Sequence, residues 1–598
     1  MAFPGVRRGL GELIGLRKSD AWYSTEDPRF GLTCRITAST RKLASCTSPW
    51  QYADIIQFIA STTITTIMLE SLIEQWQIMR QAFAPMRLSR WQLVKLLAAQ
   101  IHRDNPVAAK IAALLFVAGL FWAVSVLTRP KRLDKKLGLP LIGGSRTLKK
   151  DFATVIERGR QMYPDQPFIV NSSGKPFVVY PPSNFDEIKR LSEEEASAQD
   201  FFYDATHGYW TSVGTETPAL WKTIGIDLAR AGAPVVSTKQ KDARTAFDRY
   251  VGYCPDEKSF NVFDVMMKVV ALTNGASFVG REVAGGRWHE LVAQLPMTVY
   301  FAVIFLTWTP RLFRPFLEPL FFLPHFKVQR DMRRILEPII KQDLDEWSKT
   351  DDKKEQLKVK EGQRLPYHKW LISRYGPGEA TPRQLATDQI VTAFESTIST
   401  ALTIYYILFQ LASRPELQDE LRQEIADNTT DGQLPSTSLT ELRKMDSVMR
   451  ESFRVNPFAL FSLYRITRKP LQLSTGPKLP AGTIFCVDVH HINNSSALFP
   501  APTRYDPHRF LNKREQPGAE HRHQFVSTGP MDPNFGDGTQ ACPGRFWANN
   551  TIKVCLVHVL TRYRLKLKEG HTRPQPVCMP NGSWVPDLKA EVIFQSLD

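Results

Sequence analysis

The chain has 598 residues, with 76 Lys or Arg against 60 Asp or Glu and a formal charge of +16. The basic residues are scattered among acidic ones and form no long tract, which argues against a nucleic-acid binder and for a solvated surface that faces a membrane. Seven cysteines, widely spread and without a C-x-x-C pair, exclude a disulfide scaffold and a structural zinc site and fit a reducing compartment.

Residues 1–105 read as an N-terminal extension, either an added membrane-associated or targeting segment or the product of a mis-assigned start codon; the second reading is preferred. Residues 106–128 contain a charge-free run, Ile111–Thr128. At 1.5 Å per residue it spans about 27 Å, close to the hydrocarbon thickness of an endoplasmic reticulum bilayer. Arg129, Lys131, Arg132, Lys135 and Lys136 crowd its C-terminal flank, which by the positive-inside rule leaves the rest of the chain in the cytosol. Residues 129–145, with Pro130 and the run Gly138-Leu-Pro-Leu-Ile-Gly143, read as a stiff basic linker, and 146–598 as one large domain.

That domain opens with a hairpin signal, since Pro167–Val170 and Phe177–Tyr180 flank the turn residues Asn171-Ser-Ser-Gly-Lys175. Further on, Phe301–Leu306 and Leu312–Leu323 gather aromatic side chains around Pro310, Pro315 and Pro319, a composition that suits a mobile apolar entrance better than one regular helix. Helical periodicity then dominates, over Thr387–Leu411, Leu417–Ile425 and Leu439–Val455. The fold class is mainly α with small β-sheets.

Three motifs carry the chemistry. Glu451 and Arg454 stand three apart on a helical pattern and can pair on one face. Tyr505-Asp-Pro-His-Arg-Phe510 adds Arg509. The last is Phe535-Gly-Asp-Gly-Thr-Gln-Ala-Cys-Pro-Gly-Arg545, a glycine-punctuated loop that runs into an apolar helical pattern from Phe546. Cys542 thus lies at a helix start, where unpaired N–H groups favour the thiolate, the form of cysteine that binds metal.

The F-x-x-G-x-x-x-C-x-G pattern of this loop resembles the haem-ligand loop of the cytochrome P450 family, and its C-P-G-R-F-W-A continuation resembles the fungal members. The linker at 129–145 is similar to that of microsomal members. The resemblance implies the P450 fold behind a single transmembrane helix, and heme b with Cys542 as its thiolate ligand. It implies that Phe535 covers the sulfur and that Gly538 and Gly544 leave room beneath the porphyrin. Arg465 and Gln540 would hold the haem propionates, although Gln540 stands where the family more often has His or Arg. Glu451, Arg454 and Arg509 would form the family's buried bracing network.

The family's A-G-x-[DE]-T-[TS] segment fits Val391–Thr400 in two registers. The preferred, ungapped one puts Ile398 where the acid belongs and Ser399 where the threonine belongs, with Thr400 as a second hydroxyl; Ser399 and Thr400 are therefore the expected catalytic residues. A shift of three residues aligns Glu395 and Ser396 with the acid–alcohol pair but needs a gap before Arg414. The activity implied is a monooxygenase that takes O2 and electrons from NADPH-cytochrome P450 reductase to hydroxylate or further oxidise a lipophilic substrate. A terpenoid, meroterpenoid or indole-diterpene intermediate of fungal secondary metabolism is expected, at the endoplasmic reticulum membrane and with no nucleic acid involved. The missing acid leaves an isomerase, dehydratase or peroxygenase-like haem-thiolate enzyme as the alternative.

Overall fold

The computed structural model describes Gly119, residues 133–143 and residues 152–597, except 173–174, 310–312, 377, 430–433 and 580. The extension 1–105 and, Gly119 apart, the apolar run 111–128 lie outside the described residues.

The hairpin forms where the turn residues put it. β1 (Phe168–Ser172) and β2 (Lys175–Tyr180) pair antiparallel, from Phe168 opposite Val179 to Ser172 opposite Lys175. β3 (Phe461–Thr467) pairs antiparallel with β4 (Ile484–Asp488), which runs parallel beside β2. Short strands at Leu141–Ile142 and Ala196–Ser197 complete a six-stranded sheet. Both faces of this sheet are covered by apolar clusters, which is why β4 reads as a continuous apolar run and does not alternate.

The helices that build the site are α1 (Val236–Tyr250), α2 (Val262–Val279), α3 (His289–Trp308), α4 (Arg314–Phe321), α5 (Leu323–Lys349), α6 (Pro382–Ala412), α7 (Arg443–Val455) and α8 (Arg545–Arg562). α1, α2, α6 and α8 pack on one another around the largest apolar core. α6 begins one turn before its apolar period does. Thr381 caps it by accepting from the Gln384 N–H, and Pro382 takes the first helical position, so the start is set by capping chemistry and not by periodicity. α7 starts later than its apolar pattern, because Ser436–Leu439 forms a tight 3₁₀ turn instead.

α2, the stretch Arg281–Thr307 and α6 are long and apolar enough to cross a membrane by length and composition. α2 and α6 owe that composition to their place in the core, where most of each is buried. The stretch ending in α3 differs: Phe301 and Phe305 are about half exposed, and they join Phe316, Leu320 and Leu323 of α4 and α5 in an apolar lip.

Lys239 of α1 is 1% exposed, donates from Nζ to Thr551 Oγ1 of α8 at 2.6 Å, and lies 3.3 Å from the centre of the Trp547 ring. Burial pushes its ammonium down to about 7, against the pull of Cys555 and Asp242. Its ordinary value is 10.5. Between the two values the unfolded chain carries the extra proton, so stability rises with pH from about 7 to about 10. Lys239→Met is expected to flatten that rise in urea unfolding measured across this window; an unchanged slope would show the ammonium to be solvated.

Candidate active site

The site is built outward from Glu451. Its carboxylate is 0% exposed and accepts two parallel bonds from Arg454, Nη2 to Oε1 and Nε to Oε2, both at 2.8 Å. Arg509 Nε bridges both oxygens at 3.2 Å, and the Asp506 N–H donates to Oε1 at 3.0 Å. One carboxylate between two guanidinium groups leaves an excess of donors, and backbone carbonyls take them up: Arg454 Nη1 donates to Asn493 O at 2.6 Å, and Arg509 donates to Pro500 O at 2.7 Å and Arg504 O at 3.1 Å. Burying three charges is tolerable only with this full set of partners.

From that network a run of bonds leads to the cysteine. The Asn493 side chain donates to Asn534 Oδ1 at 3.0 Å, and Asn534 Nδ2 donates to Phe453 O of α7 at 3.1 Å. Next in sequence, the Phe535 ring packs edge-on against Phe453 and Phe525, with centroids 5.1 and 5.2 Å away. The Phe535 carbonyl then accepts the Cys542 N–H at 2.8 Å. Burial pushes the Cys542 thiol up to about 11, while the N–H groups of Gly544 and Arg545, at the start of α8, donate to the sulfur and pull the other way.

α6 packs against α8, the helix that follows Cys542. Around its middle the less buried positions are Phe394, Glu395, Ser396, Ile398, Ser399 and Leu402; Glu395 is the most exposed of them and shares one stripe with Ile398, Ser399 and Leu402 at three- and four-residue spacing. Glu395 is accessible, yet desolvation and then the charge of Glu216 push its carboxyl up to about 8. An accessible group that is nonetheless desolvated faces an internal space, not bulk water. The Glu395 charge in turn acts on the Cys542 thiol, so the two groups lie within electrostatic reach of each other.

A family model described as Cytochrome P450 matches residues 287–594. The cytochrome P450 monooxygenase ffsD of Aspergillus flavipes is 63% identical over 531 residues, which are 89% of this chain and 100% of that protein. The chain belongs to the cytochrome P450 family. The cytochrome P450 monooxygenase ccsD of Aspergillus clavatus is 42% identical over 493 residues (82% of this chain, 99% of that one), and the pyrichalasin C-18 hydroxylase of Pyricularia grisea is 39% identical over 525 (87% and 97%). The solved structure of retinoic acid-bound cyanobacterial CYP120A1 shares the fold, with a TM-score of 0.57 at 15% identity over 77% of this chain and 99% of that one.

A P450 works as a monooxygenase with a haem held by a cysteine thiolate, a redox partner, O2 and a small-molecule substrate, and the residues present fit a haem. Arg465 is 1% exposed, and its Nε and Nη2 have no partner among the described residues, while Nη1 donates to Tyr464 O at 3.0 Å. A buried guanidinium with two unengaged donors suits the carboxylate of a propionate. Burial draws its pKa down to about 10, partly offset by Glu193.

The other expected site residues have partners of their own. The Gln540 amide donates one proton to the Glu193 carboxylate and has a second N–H to give. Gly538 is required (φ +64°), but the atom that a Cβ would strike is the backbone oxygen of Lys189 at 2.7 Å, so chain crossing demands the glycine without reference to a porphyrin. Gly544 has an ordinary φ of −85°, and a Cβ there would meet Ile224 Cγ2 at a comfortable 3.9 Å. Ser399 Oγ donates to the Glu395 backbone carbonyl at 2.8 Å, which leaves it only acceptor capacity. Thr400 is 2% exposed and off the Glu395 stripe. Glu193 and Glu216 were not singled out from the sequence, where Glu193 opens the acidic run Glu193–Glu195 and Glu216 stands alone among Thr and Gly; Glu395 was legible only as the less favoured register.

Glu451→Gln, which keeps the shape and removes the charge, is expected to cost about 3–5 kcal/mol because two buried guanidinium groups lose their counterion. Denaturant unfolding together with haem content of the purified protein measures this. A loss below about 1 kcal/mol with full haem content would show that the network does not hold the loop.

Proposed function

We propose that this P450 hydroxylates an unactivated carbon of a lipophilic fungal metabolite, with Cys542 as the haem ligand and Glu395 as the group that supplies protons. The observation that carries the reading is an accessible yet desolvated carboxyl, Glu395, within electrostatic reach of the Cys542 thiol. When bound, the haem supplies oxygen activation, which thiolate donation favours. Glu395, held near 8 by burial and by Glu216, keeps its carboxyl protonated at neutral pH and yet able to release the proton, which is what a relay group needs. Ser399, one turn on, has spent its own proton on the helix and can accept from a water or a substrate hydroxyl. Ile398 and Leu402 on the same stripe limit the water that reaches the reacting carbon. The isomerase, dehydratase or peroxygenase-like alternative drew its force from Ile398 standing in the acid's place; a carboxyl one turn earlier removes that motive.

The apolar lip of Phe301, Phe305, Phe316, Leu320 and Leu323 supports entry of the substrate from a membrane. Glu318 of α4 holds the neighbouring chain against it, pairing with His207 Nδ1 at 2.6 Å and accepting from Trp210 Nε1 at 3.0 Å. We read the protein as anchored in the endoplasmic reticulum membrane by the 106–128 segment, with the domain from 146 in the cytosol and NADPH-cytochrome P450 reductase as electron donor. The name of the Pyricularia grisea relative favours a pyrichalasin-like skeleton over the terpenoid, meroterpenoid or indole-diterpene skeletons expected from the loop.

The test is incubation of the full-length enzyme, reductase and NADPH with a pyrichalasin precursor lacking the C-18 hydroxyl under isotopically labelled dioxygen. The product is expected to gain one labelled oxygen. Glu395→Gln is expected to bind the precursor as before but to form product about 10²-fold more slowly, with peroxide appearing instead. Unchanged product formation by Glu395→Gln would contradict the assignment of the relay.

A further inference from the structure

An enclosed chain of polar side chains joins the helix after Cys542 to the helix that carries Glu395. At its centre is Asn274 of α2, 2% exposed. Its Oδ1 accepts from Trp547 Nε1 and from Thr551 Oγ1 of α8, each at 3.1 Å. Its Nδ2 donates to the backbone carbonyl of Ser396, the residue after Glu395, at 3.4 Å. Behind Thr551 stands the ammonium of Lys239.

The chemistry of the partners fixes which way the amide points. Trp547 Nε1 can only donate and the Ser396 carbonyl can only accept, so oxygen toward α8 and nitrogen toward α6 is the one orientation that satisfies both. Lys239 Nζ donates to Thr551 Oγ1, whose own proton is shared between the Trp547 carbonyl at 3.0 Å and Asn274 Oδ1 at 3.1 Å. Among the described residues, Ser396 O is the only carbonyl in the interior of α6 that accepts from a side chain of another element. A carbonyl has two lone pairs, so it can take this donor beside its own helix bond, and the turn that follows Glu395 is thereby tied sideways to α2. Because α8 starts three residues after Cys542, one amide references both groups. A fully satisfied buried network is rigid, whereas a partly satisfied one costs more than an apolar core.

We propose that Asn274 is a positioning residue, which sets where the Glu395 carboxyl stands relative to the thiolate by holding the Ser396 carbonyl against the helix that follows Cys542. The inference rests on the reading of Glu395 as the proton-supplying group. It assigns a role in turnover to a residue remote from the motifs.

The test uses the full-length holoenzyme and the substitution Asn274→Asp, which keeps an oxygen for Trp547 and Thr551 and replaces the donor to Ser396 with an acceptor. At matched haem content, product per NADPH consumed, or peroxide per NADPH where no product forms, is expected to worsen by about five-fold or more. Adding Asn274→Asp to Glu395→Gln is expected to worsen it no further than Glu395→Gln alone. A reading independent of turnover is the carboxyl stretch of Glu395 in reduced-minus-oxidised infrared difference spectra, identified by its loss in Glu395→Gln; in Asn274→Asp it is expected to shift. Should Asn274→Asp fail to take up haem, Asn274→Leu carries the same expectations. Unchanged coupling and an unmoved band overturn the proposal, as does a multiplicative loss in the double variant, which would place the action of Asn274 elsewhere. If Glu395→Gln alone leaves coupling intact, the relay reading falls and the proposal with it. If Glu395→Gln is impaired and the Asn274 variants are not, only the role of Asn274 falls.

Discussion

A single buried carboxylate, Glu451, determines where the Cys542 sulfur stands. It neutralises Arg454 and Arg509, and these in turn fix the carbonyls of Asn493, Pro500 and Arg504. Asn493 then fixes Asn534, and the loop from Pro533 to Cys542 has little freedom left. The arrangement is costly to assemble, because each charge is desolvated, and it is rigid for the same reason. Rigidity is what a metal ligand on a loop requires, since a sulfur that wanders would lose both its N–H donors and its iron.

The opposite side of the site is governed by a different constraint. α6 must pack as an apolar core helix along most of its length and still present one ionisable group to the internal space. Glu395 meets both demands because it stands on the stripe with Ile398, Ser399 and Leu402 and is the most exposed residue of its turn. Desolvation then does useful work: it holds the carboxyl near neutrality, where a proton can be both kept and given. The neighbouring turn is held by Asn274, so the two halves of the site, thiolate and carboxyl, share a polar connection through α2.

What could be read from the sequence followed how local each signal is. The thiolate loop, the pair Glu451 and Arg454, and the segment carrying Arg509 are short motifs whose spacing survives without knowledge of the fold. The hairpin was legible because its turn residues lie between its strands. The long helix α6 was harder: in a long apolar helix several registers bury equally well, and only its packing against its neighbours leaves Glu395 accessible and Thr400 buried. The Lys189 carbonyl that excludes a side chain at Gly538 comes from a distant part of the chain and has no signature near the loop. Nothing near Gln540 in sequence announces its partner Glu193. Asn274 has no sequence signature, as its partners lie on two helices far along the chain.

The account is tested most directly by the difference spectrum of the reduced full-length protein with and without carbon monoxide. It predicts the thiolate-shifted Soret band in the native protein, its loss in Cys542→Ser, and its retention in Glu395→Gln and Asn274→Asp. A Soret band in the position given by a nitrogen or water ligand, in folded protein with a full complement of haem, would contradict it.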